Sequence, residues 1–440
     1  MSQPSLHVVG HVARRGLIPR QPPAERVLAD IEGWLRAEYP DVVRSTRTRS
    51  HAGGDQELLV ALHPAAADLA IRTDDTGRVS GTAPLVPVGP GYQTFVARLF
   101  QRIATEHGIA WGAESGTSPA PDEPPSADLT AAIDRSTAER TYLTWLGAGL
   151  IAARDSRRRG GPGIQLGTPP GIAFAFDGAV ATSLGPRDDT WLERAIADSR
   201  LALDVTAWWA DATDARYLLN RALCLMWTEV RWRAPIDEQE RHVNDEVLRT
   251  LARAFPLDPS LPYPWREWKE LVDYRGSVDA MTRQVEGRAL RAERGSPIGY
   301  RRQPVRIVHE GWELEVPGSF TDRRTEDEWS GGDGGRTIRI AATETGTPQG
   351  PMSAHAFLEQ VAPDLGPDAL SHQAGHIMGR ARLATDPSSG VEIGVLEGYS
   401  AVVGKGAAIR IEFGDSADWR WALDVWRALR PLDEGLRAAV

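Results

Sequence analysis

At 440 residues the chain is about three times the ~150 residues that serve as a soft prior for one domain, so several domains are expected. With 41% hydrophobic and 25% charged residues, its composition excludes the disordered, collagenous and membrane classes. A formal net charge of −10 repels phosphate backbones and argues against nucleic acid as a partner.

The first predicted element is an amphipathic helix over 24–36, where Val27, Leu28, Ile31, Trp34 and Leu35 recur at helical spacing. Leu58 to Leu62, Leu69 to Arg72 and Arg78 to Ala83, parted by the Asp74-Asp75-Thr76-Gly77 turn, read as an antiparallel meander. After Val88-Gly-Pro-Gly-Tyr92 a second helix carries Phe95, Leu99, Phe100 and Ile103. Residues 113–126 hold four prolines and no large apolar side chain, the composition of an exposed linker.

Beyond it, Thr141 to Ala153 reads as a helix, and Ile172 to Phe176 with Val180 to Leu184 reads as a hairpin around Asp177-Gly178. Helices are expected at Asp188 to Arg200, at Ala212 to Val230, which is apolar on most faces, and at Asp237 to Phe255. Three prolines between Leu257 and Trp268 break the pattern, and Ser277 to Arg294 reads as a polar connecting helix. Eight of the fifteen tryptophans lie between Trp145 and Trp268; they fill a helical core or line a ligand groove.

From Tyr300 the pattern turns to strands: Val305 to His309, Trp312 to Val316 and Arg336 to Ala342. A helix at Ser353 to Ala362 is followed by strands at Gly375 to Ala384, Gly390 to Tyr399 and Ala407 to Phe413, and a helix at Ser416 to Leu429 closes the region. The expected fold is therefore α+β and multidomain. It has a small N-terminal α/β domain (24–112), the linker (113–126), a mostly helical Trp-rich domain (127–295) and a C-terminal domain (300–432) built as an α/β/α sandwich on an antiparallel sheet.

That last region, through Gly311-Trp-Glu-Leu-Glu-Val-Pro-Gly-Ser-Phe320, its internal helix and the ending Ile409 to Phe413 with Trp419, Trp421, Ala422, Trp426 and Leu429, resembles the PsbP-like domains. The resemblance implies a binding and assembly fold and brings no catalytic motif. Residues 24–112, by element order and size, resemble type III secretion chaperones and YbjN-type proteins, which implies a peptide-binding surface.

Motifs for chemistry are sparse. The only cysteine, Cys224, lies in an apolar run and reads as a small buried hydrophobe. His7/His11 and His372/His376 are four apart. The first pair falls in an N-terminal arm and the second in a glycine-broken segment, and neither has the glutamate of a zinc-protease motif. Gly398 to Gly406 departs from a phosphate-binding loop in spacing and lacks the final Ser or Thr, so it reads as a hairpin turn. Asp237, Glu238 and Glu240 open a helix, where acids favour the dipole. No metal or cofactor is expected.

Only Lys269 and Lys405 are lysines, leaving 48 arginines. This is the skew of a GC-rich genome, and it weakens any single arginine as a sign of phosphate recognition. Arg157-Arg158-Arg159 and Arg44/Arg47/Arg49 read mostly as solvated charge. Residues 1–20 lack the apolar core of a signal peptide, and no run reaches the ~18 apolar residues of a membrane span, so a bacterial cytoplasmic protein with no membrane role is expected.

The function expected is a non-enzymatic adaptor or chaperone-like protein that binds a protein or peptide partner. Tyr92 is either core or an exposed anchor for that partner, with Arg44, Arg47 and Arg49 as a polar rim. Two alternatives stand beside it. One is an enzyme with a composite site in the middle domain, drawing on Trp208, Trp209, Trp227, Trp232, Asp237 or Glu238. The other is an accessory subunit of a bacterial conflict or secretion-associated system.

Overall fold

The computed structural model describes residues 5–12, 23–51, 54–85, 88–112, 129–161, 163–169, 171–209, 214–276, 280–293, 295–325, 327–347, 350–363, 365, 368–386 and 393–432. The expected linker at 113–126 lies outside them. The chain divides into two compact units: Met1–Pro169, Asp177–Met226 and Glu246–Tyr263 form unit 1, and Pro170–Phe176, Trp227–Asp245 and Pro264–Val440 form unit 2. Segment 127–295, expected as one helical domain, is thus shared between the two.

Unit 1 opens with β1 (Ser5–Val12), α1 (Ala24–Glu38), β2 (Ser45–Ser50), β3 (Gln56–Ala61), β4 (Leu69–Thr73), β5 (Arg78–Pro84), α2 (Pro90–His107) and β6 (Ile109–Trp111). The strands form one antiparallel sheet in the order β2-β3-β4-β5-β1-β6. The expected meander is its centre, and the segment read as an N-terminal arm is instead the internal strand β1. Alternation explains this, because Leu6, Val8 and Val12 point into the core while His7 reaches Thr82 Oγ1 at 3.0 Å on the neighbouring strand. Both helices pack on this sheet, α1 through Val27, Leu28, Ile31 and Leu35.

The remainder of unit 1 gathers around α4 (Arg135–Arg158), preceded by α3 (Leu129–Ile133) and followed by β7 (Ile164–Leu166). Strand β8 (Ile172–Phe174) belongs to unit 2. Next come β9 (Val180–Thr182), β10 (Gly185–Arg187), α5 (Asp189–Ala197), α6 (Ala215–Thr228), whose last two residues belong to unit 2, and α7 (Glu238–Leu257), which belongs to unit 2 up to Asp245. Tyr142, Leu146 and Leu150 of α4 pack with Val180, Leu192 and Val205 as a separate apolar cluster.

The hairpin expected between β8 and β9 does not form. Strand β9 pairs with β10 across Ser183-Leu184 and with β7 in parallel, whereas β8 pairs with β11 (Val305–His309). The reason is local. Thr182 Oγ1 donates to the Gly185 carbonyl at 2.8 Å and accepts from Leu184 N at 3.1 Å, so the tighter turn claims the edge of β9.

Unit 2 continues with α8 (Trp265–Arg275), α9 (Ala280–Ala289), β12 (Trp312–Val316), β13 (Thr321–Arg324), β14 (Glu328–Gly332), β15 (Arg336–Glu344), β16 (Gly346–Thr347), β17 (Gly350–Pro351), α10 (Ala354–Val361), β18 (Leu370–Ala374), β19 (Ile377–Asp386), β20 (Ile393–Val402), β21 (Lys405–Phe413), α11 (Trp419–Ala428) and β22 (Arg430–Pro431). Its main sheet has seven strands in the order β13-β14-β15-β21-β20-β19-β18, with every neighbouring pair antiparallel. A smaller sheet runs β22-β12-β11-β8.

Helices lie on both faces of the main sheet. Phe357 and Leu358 of α10 pack with Ala401, Met378 and Tyr399. Trp426 of α11 lies over Gly398 and Gly379, which alternation puts on the opposite face. A Cβ on Gly398 would sit 2.6 Å from the Trp426 indole, so a side chain there would expel the ring. Unit 2 therefore contains the expected α/β/α sandwich on an antiparallel sheet, and the fold is α+β. Gly404 turns β20 into β21 at φ 79°, as the hairpin reading requires. His372 and His376 fall on β18 and the turn after it. Among the described residues no helix is long and apolar enough to cross a membrane.

Candidate functional site

The residues singled out as a partner-binding surface do not share one environment. Pro90 starts α2, and Gly89 before it, at φ 131°, lets Gly91 N reach the Trp208 carbonyl at 3.1 Å. That docking sends Tyr92 inward: it is 0% exposed, its ring lies edge-on to Trp208 at 5.7 Å, and burial pushes its phenol well above the usual range. Tyr92 is core, and the exposed-anchor alternative is corrected by its burial.

Arg44 is mostly buried and bonds Glu246 Oε2 at 3.0 Å. Arg47 and Arg49 are exposed on the edge strand β2, Arg47 paired with Asp68. Glu246 also receives Arg221, whose Nη2 and Nε lie 2.8 and 3.1 Å from Oε1. Arg221 donates further to the Tyr217 hydroxyl and the Leu62 and Val42 carbonyls. Burial opposes the charge on Glu246, yet Arg44 and Arg221 outweigh it and hold the carboxyl below its ordinary value. This arrangement is a closed structural network.

Unit 2 holds an open pocket of about 580 Å³. It is built from the loop after α6, a short helical turn at Tyr300–Arg302, the Pro317-Gly318-Ser319 bend between β12 and β13, and the outer side of α11. Val316, Pro317, Pro304 and Val425 supply apolar wall, Trp232 and Trp421 aromatic wall, and Arg231, Arg301 and Arg302 positive charge. Gly318 is required by close approach, since a Cβ there would lie 2.2 Å from the Gln303 carbonyl.

Arg301 is buried and nearly saturated. Its Nε donates to the Thr228 carbonyl at the end of α6 at 2.7 Å, and its Nη2 to Asp322 Oδ1 at 2.9 Å. Arg231 Nη2 donates to that same oxygen at 2.6 Å. One carboxylate oxygen thus serves two guanidiniums. Burial, reinforced by repulsion from Arg231, pushes Arg301 down to about 9, and attraction to Asp322 restores only part of the loss. Arg231 Nε and Nη1 are buried with no hydrogen-bond partner among the described residues.

Trp232 sits beside them at φ 54°, a left-handed conformation that strains a bulky residue. The Arg302 guanidinium stacks on its ring at 3.7 Å, held by Glu270 at 2.5 Å and the Ile298 carbonyl at 2.8 Å. Of the residues considered for a composite enzyme site, Trp232 alone lines this pocket. Trp208 is unit 1 core, Trp209 packs on Tyr142, and Trp227 packs on Tyr300. Asp237 caps α7 through Glu240 N at 2.9 Å, and Glu238 pairs with Arg241. Among the described residues no cluster of three or more His, Cys, Asp or Glu is placed to hold a metal ion.

Sequence reasoning missed Arg231, Arg301, Arg302 and Asp322. The available signal was Arg231-Trp232-Arg233 and Tyr300-Arg301-Arg302, aromatics interleaved with arginine, which the general abundance of arginine masks.

No protein-family model matches the chain, and no curated protein matches it. Among solved structures, a crystal structure from Bacteroides thetaiotaomicron VPI-5482 is similar over 28% of this chain and 46% of its own, at 11% identity and a TM-score of 0.25. The chain thus spans about half the length of that protein. The solution structure of cyanobacterial PsbP (CyanoP) from Synechocystis sp. PCC 6803 is similar over 32% of this chain and 97% of its own, at 11% identity and a TM-score of 0.21. The PsbP-like resemblance is a weak structural one, and at such scores it carries no argument about activity.

Proposed function

We propose that the chain is a non-enzymatic, cytoplasmic adaptor or chaperone-like protein that takes a segment of a protein partner into the arginine–tryptophan pocket of unit 2. The observation that carries the reading is the pocket itself: an open site of about 580 Å³ lined by apolar and aromatic side chains together with Arg231, Arg301, Arg302, Glu315 and Asp424. Aromatic and arginine side chains around an apolar patch are the residue types enriched where proteins hold one another. The volume suits one or two side chains of an extended segment.

Ala428 lies exposed on the last turn of α11 at the pocket wall, so Ala428→Trp fills the site without touching the core. Partners crosslinked to the tagged wild type in cells are expected to be lost from Ala428→Trp while its melting temperature is unchanged. Equal capture by the two proteins, or no captured partner, overturns the reading.

A further inference from the structure

We propose that two copies of the chain pair through the edge strand β18, Leu370–Ala374, so that their seven-stranded sheets run on as one sheet across a two-fold axis at His372. The surface is separate from the pocket, and the pairing does not depend on the adaptor role. A strand at the end of a sheet offers unpaired N–H and C=O groups to any other strand, and proteins guard such edges with short strands, charges or proline. Among the described residues, every edge strand but one follows that rule. Strands β6, β7, β8 and β10 have three residues each, and β16, β17 and β22 have two. The longer edges β2 and β13 carry Arg47 with Arg49 and Arg323 with Arg324, all exposed, so an antiparallel copy would set arginine near arginine. Strand β18 has five residues, none of them charged and none proline, and Ser371, Gln373 and Ala374 are exposed.

The backbone fixes the register of that pairing. Strands β18 and β19 are joined by the two-residue turn Gly375-His376, with Ala374 opposite Ile377, and the closing pair of such a hairpin exchanges both of its hydrogen bonds. Alternation then turns the N–H and C=O of Leu370, His372 and Ala374 toward β19, and those of Ser371 and Gln373 away from it. An antiparallel copy centred on His372 sets Ser371 opposite the second copy's Gln373, and Gln373 opposite its Ser371. Every outward N–H and C=O of the strand then has a partner. A centre at Ser371 or Gln373 would leave one of the two residues facing beyond the end of β18.

The side chains suit the same centre. Leu-Ser-His-Gln-Ala reads alike in both directions by chemical class: apolar, polar, histidine, polar, apolar. Leu370 meets Ala374, and the hydroxyl of Ser371 meets the amide of Gln373, once on each side of the axis. This self-match selects a second copy over an unrelated strand, because a two-fold interface must complement itself. His372 lies on the axis with its ring edge-on to Trp426 of α11 at 5.8 Å, on one face of the sheet and clear of the outward backbone. One strand pair is a small interface, so the dissociation constant is expected at about 10–100 µM.

The test is sedimentation equilibrium of the full chain between about 1 and about 300 µM, with amide hydrogen exchange at the two ends of that range. Wild type is expected to pass from monomer to dimer, with exchange slowed at Ser371 and Gln373 and unchanged at the other edge, β2. This readout needs no variant. Ser371→Glu with Gln373→Glu sets carboxylate against carboxylate twice across the axis and should weaken the dimer about tenfold. Ser371→Glu with Gln373→Lys keeps the first change and reverses the charge that faces it, so it should return the dissociation constant to within about threefold of wild type. A chain that stays monomeric at about 300 µM, or a dimer that leaves the β18 amides unprotected, overturns the proposal. So does equal dimerisation by wild type and the doubly acidic variant, or no recovery in the Glu–Lys variant.

Discussion

In unit 1, Arg44 and Arg221 share Glu246 and each takes a different oxygen; in unit 2, Arg231 and Arg301 share Asp322 through the same oxygen. The ratio of guanidinium to carboxylate is the same, but the outcome differs. Around Arg221, burial opposes the charge, yet Tyr217 and Glu246 outweigh it and leave the guanidinium above its ordinary value. Around Arg301 burial wins, and the value falls to about 9. Carbonyls and a phenol complete the shell of Arg221, whereas Arg231 keeps two buried donors without acceptors. The buried guanidinium fork is thus complete in unit 1 and incomplete in unit 2.

The largest expected effect tests the closed half of this comparison. Glu246→Gln leaves Arg44 and Arg221 buried without a counter-charge and should cost unit 1 about 3–5 kcal/mol, read from the urea midpoint with hydrogen exchange to localise the loss. A cost below about 1 kcal/mol would show that the network behaves as a surface pair.

Tyr92→Ala comes next, at about 3 kcal/mol or more, because it empties a fully buried ring site against Trp208. Tyr92→Phe should be neutral or slightly stabilising, since the hydroxyl it deletes is buried without a partner among the described residues. Thermal melts of the two variants separate packing from polarity, and a large loss in the Phe variant would mean that the hydroxyl is bonded.

Arg221→Met sets the two units side by side most directly. It should cost about 2 kcal/mol by stranding the Tyr217 hydroxyl and two carbonyls, against a smaller loss for Arg231→Met, which deletes a bond to Asp322 that Arg301 also makes, in the same denaturation series. Equal costs would erase the distinction between a satisfied and an unsatisfied fork.

The smallest effect is a pH slope. His63 is 1% exposed and accepts from Ala65 N at 3.1 Å through Nδ1. Burial first, then Arg221 and Arg44, lower it well below 6.5. Trp208 and Tyr217 flank the ring, and Glu246 lies across the two arginines. The unfolded chain takes up this proton near pH 6.5 and the folded one does not, so the contribution is full above that pH and declines as pH falls. Between pH 6.5 and about 5.5 unit 1 should lose about 1 kcal/mol, and His63→Asn, which keeps an acceptor for Ala65 N, should flatten the slope. Glu246 adds its own loss only below its ordinary value of 4.5, outside that window. An unchanged slope in His63→Asn would assign the titration elsewhere.

Much of the architecture is legible from periodicity. Val27, Leu28, Ile31 and Leu35 mark α1, and the alternation in β15 and β21 marks the centre of the large sheet, because one buried face imposes a period that survives in the residues. Strand β2, Ser-Thr-Arg-Thr-Arg-Ser, escapes detection because it is an exposed edge and needs no apolar face. Strand β1 escapes because one of its buried positions is Gly10 and Val9 lies on the less buried side with the histidines, which blurs the alternation. Pairing is less legible still: β8 and β9 both look like hairpin arms, and only the competition of the Ser183-Leu184 turn and the availability of β11 decide their partners.

By itself the sequence determined the α+β class, the order of most helices and strands, and an apolar stripe on each helix that must be buried, all of which follow from local spacing along a chain of fixed geometry. Tertiary structure alone decided which arginines matter. Arg231 meets Asp322 from 91 residues away and Arg301 meets Thr228 from 73, and among 48 arginines nothing local separates these from their solvated neighbours. The difference is burial and the count of acceptors within reach, and both exist only after distant segments have packed around the side chain.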